Sequence, residues 1–210
     1  MTKKKDTLRQ QIYISIFSDI INGKYPVDFV FSEKFLMEKY QVSRAPVREA
    51  LVQFTSNHIL QSIPRQGYKI IQPKESLLFE IIKFRSELEC SFLNTYHFYI
   101  KNSDILMLRK LCNDYNDSPE QDFLTRWKFN QIFHTSLFSL YGNEYAKQIL
   151  TDALDRQIIF YAMKMKSHSY GVDFHIAMLD YLEQGNVKLA SNLLRADIES
   201  LLSACSWLNS

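Results

Sequence analysis

At 210 residues, 46% of them hydrophobic, the chain is long enough for one large or two small packed cores, which excludes a disordered or low-complexity protein. No stretch approaches the roughly 18 uninterrupted apolar residues of a membrane span, and the residues after MTKKKD mix polar and apolar instead of forming the apolar run of a signal peptide, so a cytoplasmic protein is expected. The net charge of +2 hides an asymmetry: residues 1–75 carry 12 Lys+Arg against 7 Asp+Glu, and the remainder carries 13 against 16. A basic front half suits contact with phosphate, and an acidic back half does not. Cys90, Cys112 and Cys205 are odd in number, widely spaced and without a C-x-x-C pair, which fits reduced thiols better than disulfides or a zinc knuckle.

Taken in chain order, FSEKFLMEKY reads as a short helix, with Ser32 as N-cap, Glu33 in the first turn and Phe35, Leu36 and Tyr40 at helical spacing. A tight connection leads to QVSRAPVREAL, where Ser43 is a good N-cap and Pro46 falls in the first turn, which has no hydrogen bond to lose. Val47, Ala50, Leu51 and Phe54 form one apolar stripe; Arg44, Arg48 and Val52 form a row on an adjacent face. An isolated pair of arginines reads first as a solvated charged face. Here the two helices make a helix-turn-helix, and the β-prone runs 59–63 and 68–71 bracket Pro64, Arg65, Gln66 and Gly67 as a hairpin with a basic tip, so the whole is a winged helix. Beyond Pro73 only Pro119 interrupts the chain, and Gly142, Gly171 and Gly185 fall near expected helix ends. Such sparse punctuation predicts helices near 76–100, 103–116, 119–141, 143–167, 170–184 and 187–207, a bundle of about six. Aromatic residues dense over 79–99 and 123–141 fit core packing better than base stacking.

The stretch GKYPVDFVFSEKFLMEKYQVSRAPVREALVQF, followed by IPRQGYKI, resembles the DNA-binding domain of the GntR family of bacterial transcription regulators, SRAPVREAL being its most specific part. Two customary glycines are replaced by Asp28 and His58, residues that tolerate left-handed backbone, so the turns are expected to survive. EIIKFRSELE resembles the opening helix of the FCD effector domain of the FadR subfamily, FNQIFHTSLFSLYGN its central helix, and FHIAMLDYLEQGNVKLASNLLRADI its last two. The resemblance implies a mainly α protein: a winged helix-turn-helix over 1–75, and an all-helical effector-binding and dimerisation domain over 76–210. It implies a homodimeric transcription regulator, not an enzyme, that binds a short inverted repeat in double-stranded DNA and responds to a small-molecule effector, an organic acid. Arg44 and Arg48, with Ser43 beside them, would approach base edges; Lys34, the Lys3–Lys5 cluster and the wing tip Arg65, Gln66 and Gly67 would meet the backbone and minor groove.

FCD domains commonly hold a metal through one Asp and three His. Carried over position by position, that set is Asn130, His134, His175 and Asp197 here, two matches and two substitutions that leave the formal charge unchanged. Positions 130 and 134 share a helical face, and two imidazoles, a carboxylate and an amide oxygen suit a divalent ion such as zinc, nickel or manganese, with less preference for zinc than the usual set. A His–Asp pair bridging two helices is the alternative. Arg85, in the family's R-x-x-L-E, implies a clamp on an effector carboxylate, against an Arg85–Glu89 pair on a solvated face; Arg156 is a second candidate for effector contact. His97 and His168 match no motif. Two rivals stand beside this reading. One is a back half that only dimerises; the other is a metal-dependent enzyme, which lacks a general base beside the ion and leaves the helix-turn-helix unexplained.

Overall fold

The computed structural model describes residues 8–26, 28–72, 74–118, 123–164, 173–200 and 202. The chain divides into two compact units, residues 1–73 with 158–163 and residues 74–157 with 164–210, so that the helix over 144–164 is shared between them; each unit is described by itself.

The first unit runs α1 (Leu8–Ile21), β1 (Val30–Phe31), α2 (Glu33–Tyr40), α3 (Arg44–Ser56), β2 (Leu60–Ile63) and β3 (Gly67–Ile70). Its core is the apolar stripe of α3, Val47, Ala50, Leu51 and Phe54, closed by Ile12, Ile16, Phe17 and Ile20 of α1 and by Leu36 of α2, all buried. Each such large side chain contributes about 1.5–3 kcal/mol by leaving water. Tyr13 stacks on Phe54 with ring centroids 4.2 Å apart, fastening α1 across the back of α3. The strands form an antiparallel sheet ordered β1-β3-β2, with Val30 opposite Lys69 and Ser62 opposite Tyr68. The hairpin is as expected; α1 and β1 are elements the pattern did not disclose.

Ser32 caps α2 by accepting from Phe35 N at 3.1 Å, whereas Ser43 occupies the N-cap position of α3 without a side-chain capping bond. The connection between the helices turns on Gln41, held left-handed at φ 53°. His58 takes the left-handed backbone expected of it, at φ 54°, but Asp28 is not among the described residues with positive φ, and Arg65 is, at φ 63°.

A polar network ties α1 to α2. Asp19, buried, accepts from Lys24 Nζ at Oδ1 (2.6 Å) and from Tyr40 Oη at Oδ2 (2.8 Å), and Lys39 Nζ lies 2.9 Å from Oδ2 while donating to Tyr25 Oη at 2.7 Å. Burial alone would raise the Asp19 pKa; Lys24, Lys39 and Tyr40 outweigh it and lower it to about 2.

The second unit is helical: α4 (Glu75–Tyr96), a 3₁₀ turn (His97–Tyr99), α5 (Asn102–Asn116), α6 (Phe123–Ser139), α7 (Glu144–Lys164), α8 (Asp173–Glu183) and α9 (Val187–Ser200). These follow the six expected helices; the expected extensions over 119–122, 165–167, 170–172, 201 and 203–207 lie outside the described residues, as do Lys3–Lys5, His168 and Cys205. Helix α9 packs against α4 and α8, and α5 packs against α6 and α8. Cys90 and Cys112 are buried free thiols, and His97 Nδ1 sits 3.1 Å from Asn94 O at the end of α4.

Candidate functional site

Two constellations in the described residues carry chemistry, one in each unit. On α3 the buried stripe leaves Arg44, Arg48 and Val52 in an outward row, with the arginine side chains 68% and 65% exposed. Ser43, Lys34, Arg65 and Gln66 are exposed as well. The row is not a solvated face without partners, however. Glu33, from the first turn of α2, faces both arginines: Arg48 Nε lies 2.9 Å from its Oε1 and Arg44 Nε 3.2 Å from its Oε2. Spacing along either helix gives no sign of this, because the three residues meet only through the α2–α3 turn. Gly67 has an internal reason to be glycine. Its φ is +135°, and a Cβ there would collide with the Phe31 carbonyl oxygen.

The second constellation is buried between helices. His134 on α6, His175 on α8 and Asp197 on α9 each direct one ligand-type atom to a common centre, all within 4.8 Å of one another. His134 Nε2 and His175 Nε2 both lie 3.2 Å from Asp197 Oδ2. On its other side, His134 Nδ1 donates to Glu89 Oε2 at 2.6 Å; Glu89 Oε1 accepts from Arg85 Nε at 2.9 Å, and Arg85 Nη1 donates to Gln157 Oε1 at 2.8 Å. A continuous polar path thus joins α7, α4, α6, α9 and α8. The solvated Arg85–Glu89 pair expected as the alternative is corrected: the pair exists, but in the core, with side chains 1% and 2% exposed. Asn130 is buried one turn before His134. Arg156 lies elsewhere, paired with Asp152 at 2.7 Å. Glu89 and Gln157 were not legible as members of the site, since nothing in the spacing of α4, α6 or α7 tells which faces meet.

The electrostatics follow from the geometry. Burial works against an ionised Asp197, but the His175 and His134 imidazoles outweigh it and hold the carboxyl far below the usual range. Glu89 is lowered for the same reason, against its burial, by Arg85 and His134. Burial disfavours protonated His134; Glu89 and Asp197 overcome it and raise its pKa. Several polar atoms stay unsatisfied: both ring nitrogens of His175, Nη2 of Arg85 and Nε2 of Gln157 have no hydrogen-bond partner, although all are buried. Orphans of this kind are rare, and a bound ion, water or ligand would satisfy them. The arrangement fits a divalent ion: two imidazole nitrogens and a carboxylate converge, one imidazole has no other partner, and the far nitrogen of the other is fixed by a carboxylate, as metal-bound histidines usually are.

Comparison with known proteins agrees with both units. Residues 8–70 match the family described as bacterial regulatory proteins, gntR family, and residues 80–200 match the FCD domain. The chain is 25% identical over 138 residues to the HTH-type transcriptional repressor GlaR of Escherichia coli, covering 63% of this chain and 62% of that protein. It is 22% identical over 207 residues to the Uxu operon regulator of Haemophilus influenzae, covering 87% and 76%. Among solved structures, E. coli McbR/YncC superposes with a TM-score of 0.68 at 16% identity over 98% of this chain and all of that one. With a gntR-type helix-turn-helix ahead of an FCD domain that spans more than half its length, the chain belongs to the GntR family of transcription regulators and is not an enzyme.

Proposed function

We propose that this regulator binds an operator as a homodimer through α3 and the wing, and that its second unit senses a small carboxylate through a divalent ion held by His134, His175 and Asp197, with Asn130 beside them. The observation that carries the sensing half is His175: buried, 3.2 Å from Asp197, and with neither ring nitrogen satisfied. A bound ion supplies concentrated positive charge and open coordination positions for an organic acid. Glu89 fixes which nitrogen His134 turns to the centre. The division of labour proposed is DNA binding over 1–75 and sensing and dimerisation over 76–210, in the cytoplasm; among the described residues no helix is long and apolar enough to cross a membrane.

For dimerisation the favoured face is that of α4 and α7. An open groove of about 310 Å³ is lined by Leu77, Ile81, Phe84, Ile149 and Ala153, and its rim carries Glu80, Asp152 and Arg156. A rim with both signs of charge around an apolar floor is self-complementary, which a two-fold interface requires.

A second reading has one observation in its favour. Arg85 gives Nε to Glu89 and Nη1 to Gln157, so a bidentate grip on an effector carboxylate would have to displace a partner, and a back half that only dimerises needs no such step. Elemental analysis of protein purified without chelators separates the two. Near-stoichiometric zinc, nickel or manganese, lost in His134→Ala, is expected. Metal-free protein that stays so after each ion is supplied would sink the sensing proposal and leave the dimerising one.

A further inference from the structure

The Glu33 carboxylate is the one acidic group within ion-pair distance of the arginine row among the described residues, and it engages both arginines in the same way. In each ion pair the closest approach is at Nε, the nitrogen nearest the side-chain stem. Resting on the reading of α3 as the helix that enters the major groove, we propose that Glu33 is a positioning residue for base readout. It holds the two guanidiniums by their inner nitrogens, so that their outer edges face the DNA, and it lowers their attraction to phosphate.

The chemistry of guanidinium gives the first half of the role. Arginine has a long side chain with several rotatable bonds, and an exposed one pairs with whatever oxygen is near. Guanine is read by two parallel N–H donors directed at O6 and N7. The outer Nη1/Nη2 edge offers that fork, and a carboxylate behind Nε leaves it unobstructed while removing rotameric freedom. The second half is electrostatic. Three side chains that would otherwise present two positive charges present one net charge, so the sequence-independent phosphate term is reduced while the directional base contact is retained. The carboxylate stands on a firm base. Ser32 caps the helix that starts at Glu33, and Lys39 and Tyr40 at the other end of α2 are locked to Asp19 at 2.9 and 2.8 Å. The neighbouring Lys34 does not compete, since its nearest acid is Glu38 at 3.8 Å.

As an ordinary surface ion pair Glu33 would change affinity for all duplexes alike and leave selectivity untouched, and this distinguishes the two roles. The test starts with a duplex enriched by the native full-length protein from a random library, and compares affinity for it with affinity for a scrambled duplex across a salt series. Glu33→Gln is expected to lower the ratio of the two affinities about tenfold, the scale of one good bidentate contact. It should also tighten binding to the scrambled duplex and steepen the logarithmic salt slope by about one. Glu33→Asp keeps the charge but, one methylene shorter, cannot reach both arginines, and should fall between. In an Arg48→Ala background the Glu33→Gln effect on the ratio should shrink, and thermal melting should be unchanged throughout. An unaltered ratio in Glu33→Gln, or equal weakening on both duplexes, overturns the role of Glu33 while leaving α3 as the reading helix. Failure of the native protein to enrich any duplex overturns that reading and the role together.

Discussion

Asp19 ties two helices of the first unit together through one carboxylate. Its carboxylate joins the C-terminal end of α1 to Lys39 and Tyr40 of α2, and α2 carries Glu33 to the arginine row. Because its pKa is lowered from 3.8 to about 2, the ionised form favours the folded state. That contribution is complete above about pH 4 and is lost as pH falls toward 2; a shift of this size corresponds to about 2 kcal/mol. Asp19→Asn is therefore expected to lower stability by about that amount at neutral pH and by progressively less on acidification, as thermal melts at pH 7, 4 and 2.5 would show; a deficit that stayed constant with pH would contradict the account. Asp19 drew no notice in the sequence, Glu33 drew it only as a first-turn acid and Glu89 only as a surface partner of Arg85, because each acts across helices. His134, His175 and Asp197 were legible only because a family pattern supplied the long-range pairing that spacing lacks. Helix spacing alone misplaced Arg85: the i, i+4 pair with Glu89 reads as a solvated face, and its actual surroundings are the core.

At the scale of elements, the second unit was readable because long amphipathic helices need few signals beyond the scarcity of proline and glycine. Strand β1 was not, since two residues cannot show alternation, and α1 was obscured by the exposed Leu8 and Ile14, which blur its buried stripe of Ile12, Ile16, Phe17 and Ile20. Both missed elements matter to the wing. Phe31 of β1 packs its carbonyl where a side chain on Gly67 would have to go, while β1 pairs with β3 through Val30–Lys69 and Phe31–Tyr68. Gly67→Ala should cost on the order of 2 kcal/mol, from left-handed strain plus displacement of β1, and should weaken DNA binding through a distorted hairpin. A variant with native melting temperature and amide exchange in β1 would show that the strand yields without cost.

For the whole molecule, the decisive quantity is the oligomeric state, since an inverted repeat presents two half-sites to two copies of α3. Phe84 is 47% exposed and Leu77 43%, so a charge at either costs little within one copy but a great deal between two. Phe84→Glu is expected to convert a dimer to a monomer by light scattering, with helical content kept, and to reduce operator affinity sharply; an intact dimer would move the interface elsewhere. The buried path from Gln157 through Arg85, Glu89, His134 and Asp197 to His175 has a consequence for how such a regulator changes over generations. Its charged members, Arg85, Glu89, His134 and Asp197, offset one another in turn, so replacing one of these alone strands a charge in the core. Change at this centre must then come by matched exchanges, two residues at a time, whereas exposed positions with no partner on another helix can drift singly.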